Sequence, residues 1–405
     1  MTLILVSLTV LCIITAKPAF ASADSWTEKA PIPTERFELG VAVVNGRIYA
    51  IGGQLLHSFN TYSGINEEYD PKTNTWTTMA SMPTPRANFG IAVYRNKIYC
   101  IGGSKSNGVT TGVNEVYDPS TNSWATKNPL PTPRYRLDAS FANGRIFLVG
   151  GFESASIAST YAENVSSINE VYDPSSDAWT KESPLPFAVS DYASAVVDDK
   201  IYVIGNSNEN LTQIYTPETD TWTYGAPVPT TSAGYYPGGA GVTTGVFAPK
   251  RIYVLGGEEA GLYGSSLGIT LIYDPENDTW GSGAPMPTAR SNLGVAVVND
   301  VLYAIGGEVN WDGYTGANEQ YTPAGYRAPD STYQTPSPSS TPSPTPTLTP
   351  TPTPTQAQSP SPSTLTPSPS VPEFPTWIIL PLTTIMTLIA AMIVRRRGQR
   401  KLSFL

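Results

Sequence analysis

Residues 89–128 decide the fold of this chain, and they read FGIAVYRNKIYCIGGSKSNGVTTGVNEVYDPSTNSWATKN. Two apolar runs flank the polar pair Arg95-Asn96, a double glycine ends the second run, and a tyrosine turn and a tryptophan follow. The same pattern recurs six times with local departures, and the second run reads IYAIGG, IYCIGG, IFLVGG, IYVIGN, IYVLGG and LYAIGG. A period of about 45 to 55 residues built only from strand-like pieces predicts a β-propeller with one repeat per blade.

Each repeat predicts a four-stranded antiparallel blade. Asn-Gly or Asn-Asp pairs between the first two strands accept positive φ and form two-residue hairpin turns. Tyr-Asp-Pro ends the third strand, because proline cannot donate to the ladder, and the tryptophan marks the fourth strand. The sixth repeat lacks a tryptophan after Tyr321, whereas Trp26 precedes the first repeat. We therefore expect the N-terminal segment Ser25 to Lys29 to complete blade six and close the propeller.

The double glycines, the Tyr-Asp-Pro turn and the spaced tryptophan together resemble the kelch repeat over about Trp26 to Tyr326. The resemblance implies an all-β fold, a kelch β-propeller of six or seven blades, and the repeat count favours six blades within residues 24–330. Departures are local. Gly205-Asn206 replaces the double glycine in blade four, and blades four and six have Tyr-Thr-Pro in place of Tyr-Asp-Pro.

The N-terminal end predicts export, and a stalk follows the propeller. Residues 1–23 combine an apolar run with the small-residue site Ala21-Ser22-Ala23, which predicts a signal peptide cleaved after Ala23. Residues 331–371 are rich in Thr, Ser and Pro. Such a segment buries too little apolar surface to fold, so it predicts a disordered stalk of a composition that suits O-glycosylation.

The C-terminal end predicts a membrane anchor in residues 372–394. An uncharged apolar run from Trp377 to Val394 would span about 27 Å as a helix, close to the bilayer core of about 30 Å. The basic tail, residues 395–405, predicts a single-pass topology with the propeller outside. The preceding motif Pro372-Glu373-Phe374-Pro375, the apolar run and the basic tail resemble PEF-type sorting signals of archaeal surface proteins. That resemblance implies removal of the helix by a membrane protease; a retained transmembrane helix is the alternative.

Composition limits the chemistry. The net charge of −9 argues against nucleic acid as a partner. His57 is the single histidine, and Cys100 is the single cysteine after the predicted signal peptide, so neither a zinc cluster nor a copper radical site can be assembled. We therefore expect no metal and no cofactor. No nucleophile motif occurs either, so we expect no enzyme activity. Three N-x-Ser/Thr sequons make the protein a candidate glycoprotein, at Asn164, Asn210 and Asn277.

One face of the propeller is expected to carry the binding site. The loops between second and third strands and the connections between blades should share this face, here called the loop face, and the tight turns should form the opposite turn face. Long, variable loops usually carry function. Four blade connections end in a recurring arginine, as in PTER, PTPR and PTAR: Arg36, Arg86, Arg134 and Arg290.

The arginines allow two interpretations. In the kelch adaptor of a ubiquitin ligase, arginines at this motif position bind acidic peptides, so the resemblance implies a positive ring that takes an anionic ligand. The alternative is that they tie neighbouring strands together, as repeated residues mostly do in repeat proteins.

Loop aromatics offer further contacts, and we select Trp311 and Tyr314 as candidate rim residues. The others are Phe59, Tyr62, Tyr161 and Tyr263.

The sequence therefore predicts a surface-anchored kelch propeller that binds a protein or a carbohydrate through its loop face. Two alternatives remain open at this point. One is an enzyme that acts on sugars, similar to the kelch-fold sialic-acid mutarotases. The other is a purely structural component of the cell envelope.

Overall fold

A computed structural model describes residues 24–55, 61–153, 165–205, 210–229, 235–259, 265–310 and 313–329 of the chain. The chain divides into two compact units, Met1–Gln334 and Thr335–Leu405, and the described residues all lie in the first. The predicted signal peptide, stalk, anchor and tail lie outside the described residues. No helix within the described ranges is long and apolar enough to cross a membrane.

Six four-stranded antiparallel sheets form the blades, which confirms the predicted six-bladed propeller. In each blade the strands are called inner, second, third and outer. Blades one to three contain Gly40–Val44, Arg47–Ile51, Asn66–Asp70 and Thr75–Met79; Gly90–Tyr94, Lys97–Ile101, Asn114–Asp118 and Ser123–Lys127; Asp138–Ala142, Arg145–Val149, Asn169–Asp173 and Ala178–Glu182. Blades four to six contain Ala193–Val197, Lys200–Ile204, Thr212–Thr216 and Thr221–Gly225; Tyr235–Val242, Ile252–Glu259, Thr270–Asp274 and Thr279–Ser282; Gly294–Val298, Val301–Ile305, Asn318–Thr322 and Ser25–Glu28.

In the described residues, three short two-stranded sheets lie among the loops between second and third strands and the connections between blades. They pair Ser104–Lys105 with Val109–Thr110, Arg134–Tyr135 with Phe152–Glu153, and Glu308–Val309 with Gly313–Tyr314. A 3₁₀ turn, Ser106–Gly108, lies within the first of them.

The N-terminal strand closes blade six as the sequence predicts. Ser25–Glu28 pairs antiparallel with Asn318–Thr322, and Trp26 lies opposite Tyr321. Their rings pack 5.0 Å apart between centroids. The third strand of blade six therefore has a partner on both sides, and no open edge is left at the point where the ring of blades joins.

Neighbouring blades are joined at their outer edge by a repeated polar latch. In blade two, Trp124 Nε1 donates to Ala80 O of blade one at 2.8 Å. Asn122 Oδ1 accepts from Tyr117 Oη at 2.7 Å and from Ala80 N at 2.8 Å. Burial raises the pKa of Tyr117 to about 12, so its hydroxyl remains a donor at neutral pH. The same three bonds occur in all six blades, with the accepting side chain at Asp24, Asn74, Asn122, Asp177, Asp220 and Asp278.

The double glycines allow a close crossing on the loop face. Gly52 and Gly53 have φ of +64° and +99°, which other residues rarely adopt. A Cβ at Gly52 would lie 2.7 Å from Arg86 O of the next blade connection. Gly53 N donates to the same Arg86 O at 3.0 Å. In blades one, two, three, five and six the second glycine thus lets the end of the second strand bond to the following connection, which places these loops and connections on one face as predicted.

The turn face has one irregular element. The turn between the inner and second strands of blade five is longer than the two-residue turns elsewhere and wraps around Asp300 of blade six. Asp300 is 2% exposed and accepts from the backbone nitrogens of Thr244 and Phe247 at 2.6 and 2.7 Å. Arg327 N then donates to Phe247 O at 2.7 Å. The last described residues therefore leave the propeller along the turn face.

Candidate functional site

The four repeated arginines lie inside the protein. Each is 0% exposed and forms an ion pair with a glutamate on the third strand of its own blade. Arg36 Nη1 lies 2.5 Å from Glu67 Oε2, and its Nη2 donates to Ala50 O at 2.8 Å. The other pairs are Arg86–Glu115, Arg134–Glu170 and Arg290–Glu319. Because none of the four reaches the surface, the predicted positive ring is absent, and the alternative role as ties between strands accounts for their contacts.

The sequence contained a signal for this pairing that the prediction missed. The third strands of the four blades with the arginine begin Asn-Glu, whereas blades four and five have Gln213 and Leu271 in place of the glutamate. In blade four, Val189 replaces the arginine, and Gln213 bonds to both backbone groups of Phe187 at 3.0 Å. Arginine and glutamate therefore appear and disappear together, as partners in a buried pair should.

A ring of non-repeated residues surrounds the loop-face opening of the central channel, here called the mouth. Five blades place a residue there, two positions before the inner strand, with a left-handed φ between 53° and 55°: Glu38, Asn88, Arg136, Asp191 and Asn292. Their backbones bond from blade to blade; for example, Asn88 N donates to Glu38 O at 3.1 Å and Arg136 N to Asn88 O at 2.9 Å. The scaffold thus fixes the backbone of the ring while the side chains vary in charge.

The mouth is acidic around one arginine. Arg136 Nη1 lies 3.3 Å from Asp191 Oδ2. Glu258 and Glu308, each placed directly after a double glycine, stand beside the ring, and Asn292 Nδ2 donates to Glu308 Oε2 at 3.2 Å. Burial raises the pKa of both glutamates, and repulsion from Glu308 raises that of Glu258 further.

Glu38 has the least satisfied carboxyl group of the mouth. Its Oε2 atom is buried and has no hydrogen-bond partner among the described residues. Burial raises the pKa of Glu38, and the nearby Arg136 only partly offsets this. A buried acceptor without a donor costs free energy, typically about 1–3 kcal/mol, so the fold holds this carboxyl group at the mouth at a cost in stability.

The predicted aromatic contacts are partly located. Tyr314 stacks on Phe37 with 4.5 Å between ring centroids and 5° between planes, next to the mouth. Burial raises the pKa of Tyr314, and the nearby carboxyl groups of Glu308 and Glu38 raise it further. Tyr62 is described, at the rim, where Ser104 Oγ donates to its hydroxyl at 3.3 Å. The remaining aromatics lie outside the described residues: Trp311, Phe59, Tyr161 and Tyr263.

Below the mouth, a channel of about 700 Å³ runs between the inner strands. Most of its wall is glycine, alanine and aliphatic side chains, but blades three and four contribute Asp138, Ser140, Tyr192 and Ser194. Cys100 is not part of it; this thiol is fully buried in the core, where burial raises its pKa to about 12. Among the described residues, no group of three His, Cys, Asp or Glu side chains is arranged to hold a metal ion.

The candidate glycosylation sites differ in exposure. Asn277 is exposed in the outer turn of blade five, although its Nδ2 donates to Asp274 Oδ2 at 2.8 Å. Asn210 is half-buried, and its Oδ1 is shielded from solvent. Asn164 lies outside the described residues.

Comparisons with known proteins agree with the repeat and the fold. The kelch motif matches residues 35–83, 85–131 and 133–186, which are blades one to three. Kelch-like protein 35 of Mus musculus is 28% identical over 138 residues, 34% of this chain and 22% of that protein. Kelch repeat and BTB domain-containing protein 12 of Homo sapiens is 26% identical over 156 residues, 34% and 24% of the two chains. The matches thus span about a quarter of these relatives.

A solved structure extends the likeness to the whole propeller. The structure of YjhT superposes with a TM-score of 0.61 over 72% of this chain and 95% of that chain, at 18% sequence identity. At this identity the likeness concerns the fold alone. The chain is thus similar to kelch proteins in its first three repeats and to YjhT in its overall fold.

Proposed function

We propose that this propeller of kelch repeats is a binding module that recognises a protein partner through its loop face, with the mouth as the centre of the contact. Kelch domains generally mediate protein interactions, which supports the class of partner. The observation that carries the proposal for this chain is Glu38, whose buried Oε2 has no hydrogen-bond partner in the described part of the chain and lies at the open end of a channel. Binding sites commonly hold such unsatisfied or perturbed groups.

The ligand class follows from the charges at the mouth. Among the described residues, the carboxyl groups of Glu38, Asp191, Glu258 and Glu308 lie near the Arg136 guanidinium. An anionic ligand would meet repulsion there, contrary to the expectation from the repeated arginines. We propose that the partner presents hydrogen-bond donors, above all basic side chains, because complementary charge increases both association rate and specificity.

Partner capture tests this proposal. The full chain is used as bait in a cell-surface extract beside two isosteric variants, Glu308→Gln at the mouth and Glu276→Gln in an exposed outer turn of blade five. Each variant removes one carboxylate, so both change net charge equally. We expect Glu308→Gln to lower the captured amount of a specific partner about 10-fold, or about 1.4 kcal/mol, and Glu276→Gln to leave it unchanged.

Two outcomes would overturn the proposal. Equal capture by both variants would place the contact away from the mouth. Capture that resists added salt would contradict a contact between a basic partner and carboxylates, since such contacts weaken as ionic strength rises. If free glycans, and not a protein, compete for binding to the bait, the ligand is the carbohydrate alternative.

We also propose that the protein is exported and anchored at the cell surface through its C-terminal region. The supports are sequence features: the signal-like residues 1–23, the Thr/Ser/Pro-rich residues 331–371 and the apolar run before the basic tail. Within the described residues the chain leaves along the turn face, so the mouth is not where it emerges.

The full chain is expected to sediment with membranes, and a chain that ends at Ser370 is expected to appear in the medium. Subcellular fractionation measures this, and mass spectrometry of the mature C-terminus separates a retained helix from a removed one. A truncated chain that still sediments with membranes would contradict the anchor.

No described contact favours the sugar-acting enzyme or the purely structural role, so binding is the function carried forward.

A further inference from the structure

One sector of the channel wall departs from the pattern of the repeats. Five inner strands begin the channel wall with a glycine or alanine: Gly40, Gly90, Ala193, Gly239 and Gly294. Blade three has Asp138 at that place. Two residues further, Ser140 stands where the other blades have alanine or glycine. A carboxylate and a hydroxyl therefore replace small apolar residues at successive channel positions of one blade.

The neighbouring blade departs from the pattern on the facing side. Ser194 occupies the inner-strand position that other blades fill with valine, isoleucine or alanine. Tyr192 stands where blades one, two, three and six have leucine or phenylalanine. All four departures thus meet at a single blade interface, between blades three and four, and the other five interfaces of the same propeller do without them.

The four side chains form one polar cluster. Ser194 Oγ donates to Asp138 Oδ2 at 2.9 Å, and Ser140 Oγ lies 3.2 Å from Ser194 Oγ. The Tyr192 hydroxyl donates to Val149 O and accepts from Asp138 N at 3.0 Å. Among the described residues Asp138 takes part in no salt bridge, and Arg136, two residues earlier in the chain, pairs with Asp191.

A purely structural explanation of the cluster is weak. Burying a carboxylate without a cation is costly, and burial raises the pKa of Asp138. Five blade interfaces pack with apolar residues at these positions, so the fold itself does not require the charge. Residues that break a local rule without benefit to the fold tend to mark functional sites.

We propose that Asp138, together with Ser140 and Ser194, forms a subsite that binds the cationic group of a lysine or arginine side chain entering the channel from the mouth. This rests on the proposed function for the identity of the partner as a protein. Asp138 is the first residue of its inner strand and lines the channel two positions after Arg136 of the mouth, a depth that an extended lysine side chain reaches. The mouth carboxylates would attract the cation, and Asp138 would bind it.

The test uses the full chain and two small probes. N-acetyl-lysine N-methylamide carries the ammonium group, and N-acetyl-norleucine N-methylamide has the same shape in its carbon chain without the charge. Isothermal titration calorimetry should show saturable binding of the lysine probe, with at least about 10-fold weaker binding of the norleucine probe. Absence of lysine binding to the wild-type chain would overturn the subsite.

The matched variant is Asp138→Ala, because blade four already has Ala193 at the equivalent place. It should weaken lysine binding at least about 10-fold while the melting temperature stays equal or rises, since consensus substitutions in repeats usually stabilise. Unchanged lysine binding in this variant would overturn the subsite. A lower melting temperature with unchanged affinity per folded molecule would show the cluster to be structural, which also overturns it.

Failure here and failure of the proposed function can be distinguished. If partner capture depends on Glu308 but binding of the lysine probe does not depend on Asp138, the loop-face contact is supported and the subsite is refuted. If the probe needs Asp138 but capture is indifferent to Glu308, the subsite stands as a cation site and the partner contact at the mouth falls.

Discussion

Deleting residues 24–29 is expected to lower the melting temperature of the full chain by at least about 10 °C. The deletion removes the outer strand of blade six, the Trp26–Tyr321 ring contact and the Asp24 carboxylate that accepts from Tyr321 Oη and Ala284 N at 2.6 Å. It also exposes the edge of Asn318–Thr322. Losing a large aromatic together with a strand costs several kcal/mol, and each kcal/mol shifts the midpoint of a domain of this size by roughly 2–4 °C.

A point substitution makes the same test with a matched control. Trp26→Ala removes the closing tryptophan, and Trp124→Ala removes its equivalent within blade two. Both indoles donate to a backbone carbonyl of the preceding blade at 2.8 Å, so both substitutions should cost a similar free energy of unfolding, about 3 kcal/mol. Chemical denaturation measures both. A Trp26→Ala chain as stable as wild type, beside a destabilised Trp124→Ala chain, would contradict closure by the N-terminal strand.

Breaking a buried arginine–glutamate pair is expected to cost about 3–5 kcal/mol in the free energy of unfolding. Arg86→Val leaves the Glu115 carboxylate buried without its cation, since Glu115 is 3% exposed. The double variant Arg86→Val with Glu115→Gln reproduces the Val189 and Gln213 of blade four, which pack there without an ion pair. We therefore expect the double variant to regain most of the lost stability, as measured by denaturant unfolding.

The outcome also decides what these arginines do for binding. If they only support the fold, Arg86→Val should lower partner capture in proportion to the fraction of folded molecules. A double variant no more stable than the single one would mean that Glu115 is not the group that needs Arg86. If a fully folded variant lost partner capture, the arginines would have to belong to the binding site, which contradicts their burial in this structure.

The sequence was sufficient to predict the fold, because the pattern of strands and turns recurs in six repeats. Positive φ at Asn45 and Gly46 in the first turn is what the Asn-Gly pair requires, and the missing tryptophan after Tyr321 correctly assigned Trp26 to blade six. The turn signal depends on local backbone geometry, and the tryptophan signal depends only on comparing the repeats. Neither requires knowledge of long-range contacts.

The site was less accessible from sequence, because the residues that form it share a position in the blades but differ in type from blade to blade. The repeated Arg36 is buried in the scaffold, whereas the mouth is formed by residues that change charge at a constant place, such as Glu38 and Arg136. In a repeat protein the constant residues build the interfaces between repeats, and the variable ones are free to bind. Comparing the repeats position by position would have pointed to the mouth and to Asp138.

The central claim is that the loop face around the mouth binds the partner. Hydrogen–deuterium exchange of the full chain, with and without the captured partner, tests it most directly. Partner binding is predicted to slow exchange in peptides that contain Glu38, Arg136, Asp191 and Glu308, and to leave the turn-face peptides around Asp300 unchanged. Slowed exchange confined to the turn face or to the outer strands would contradict the claim.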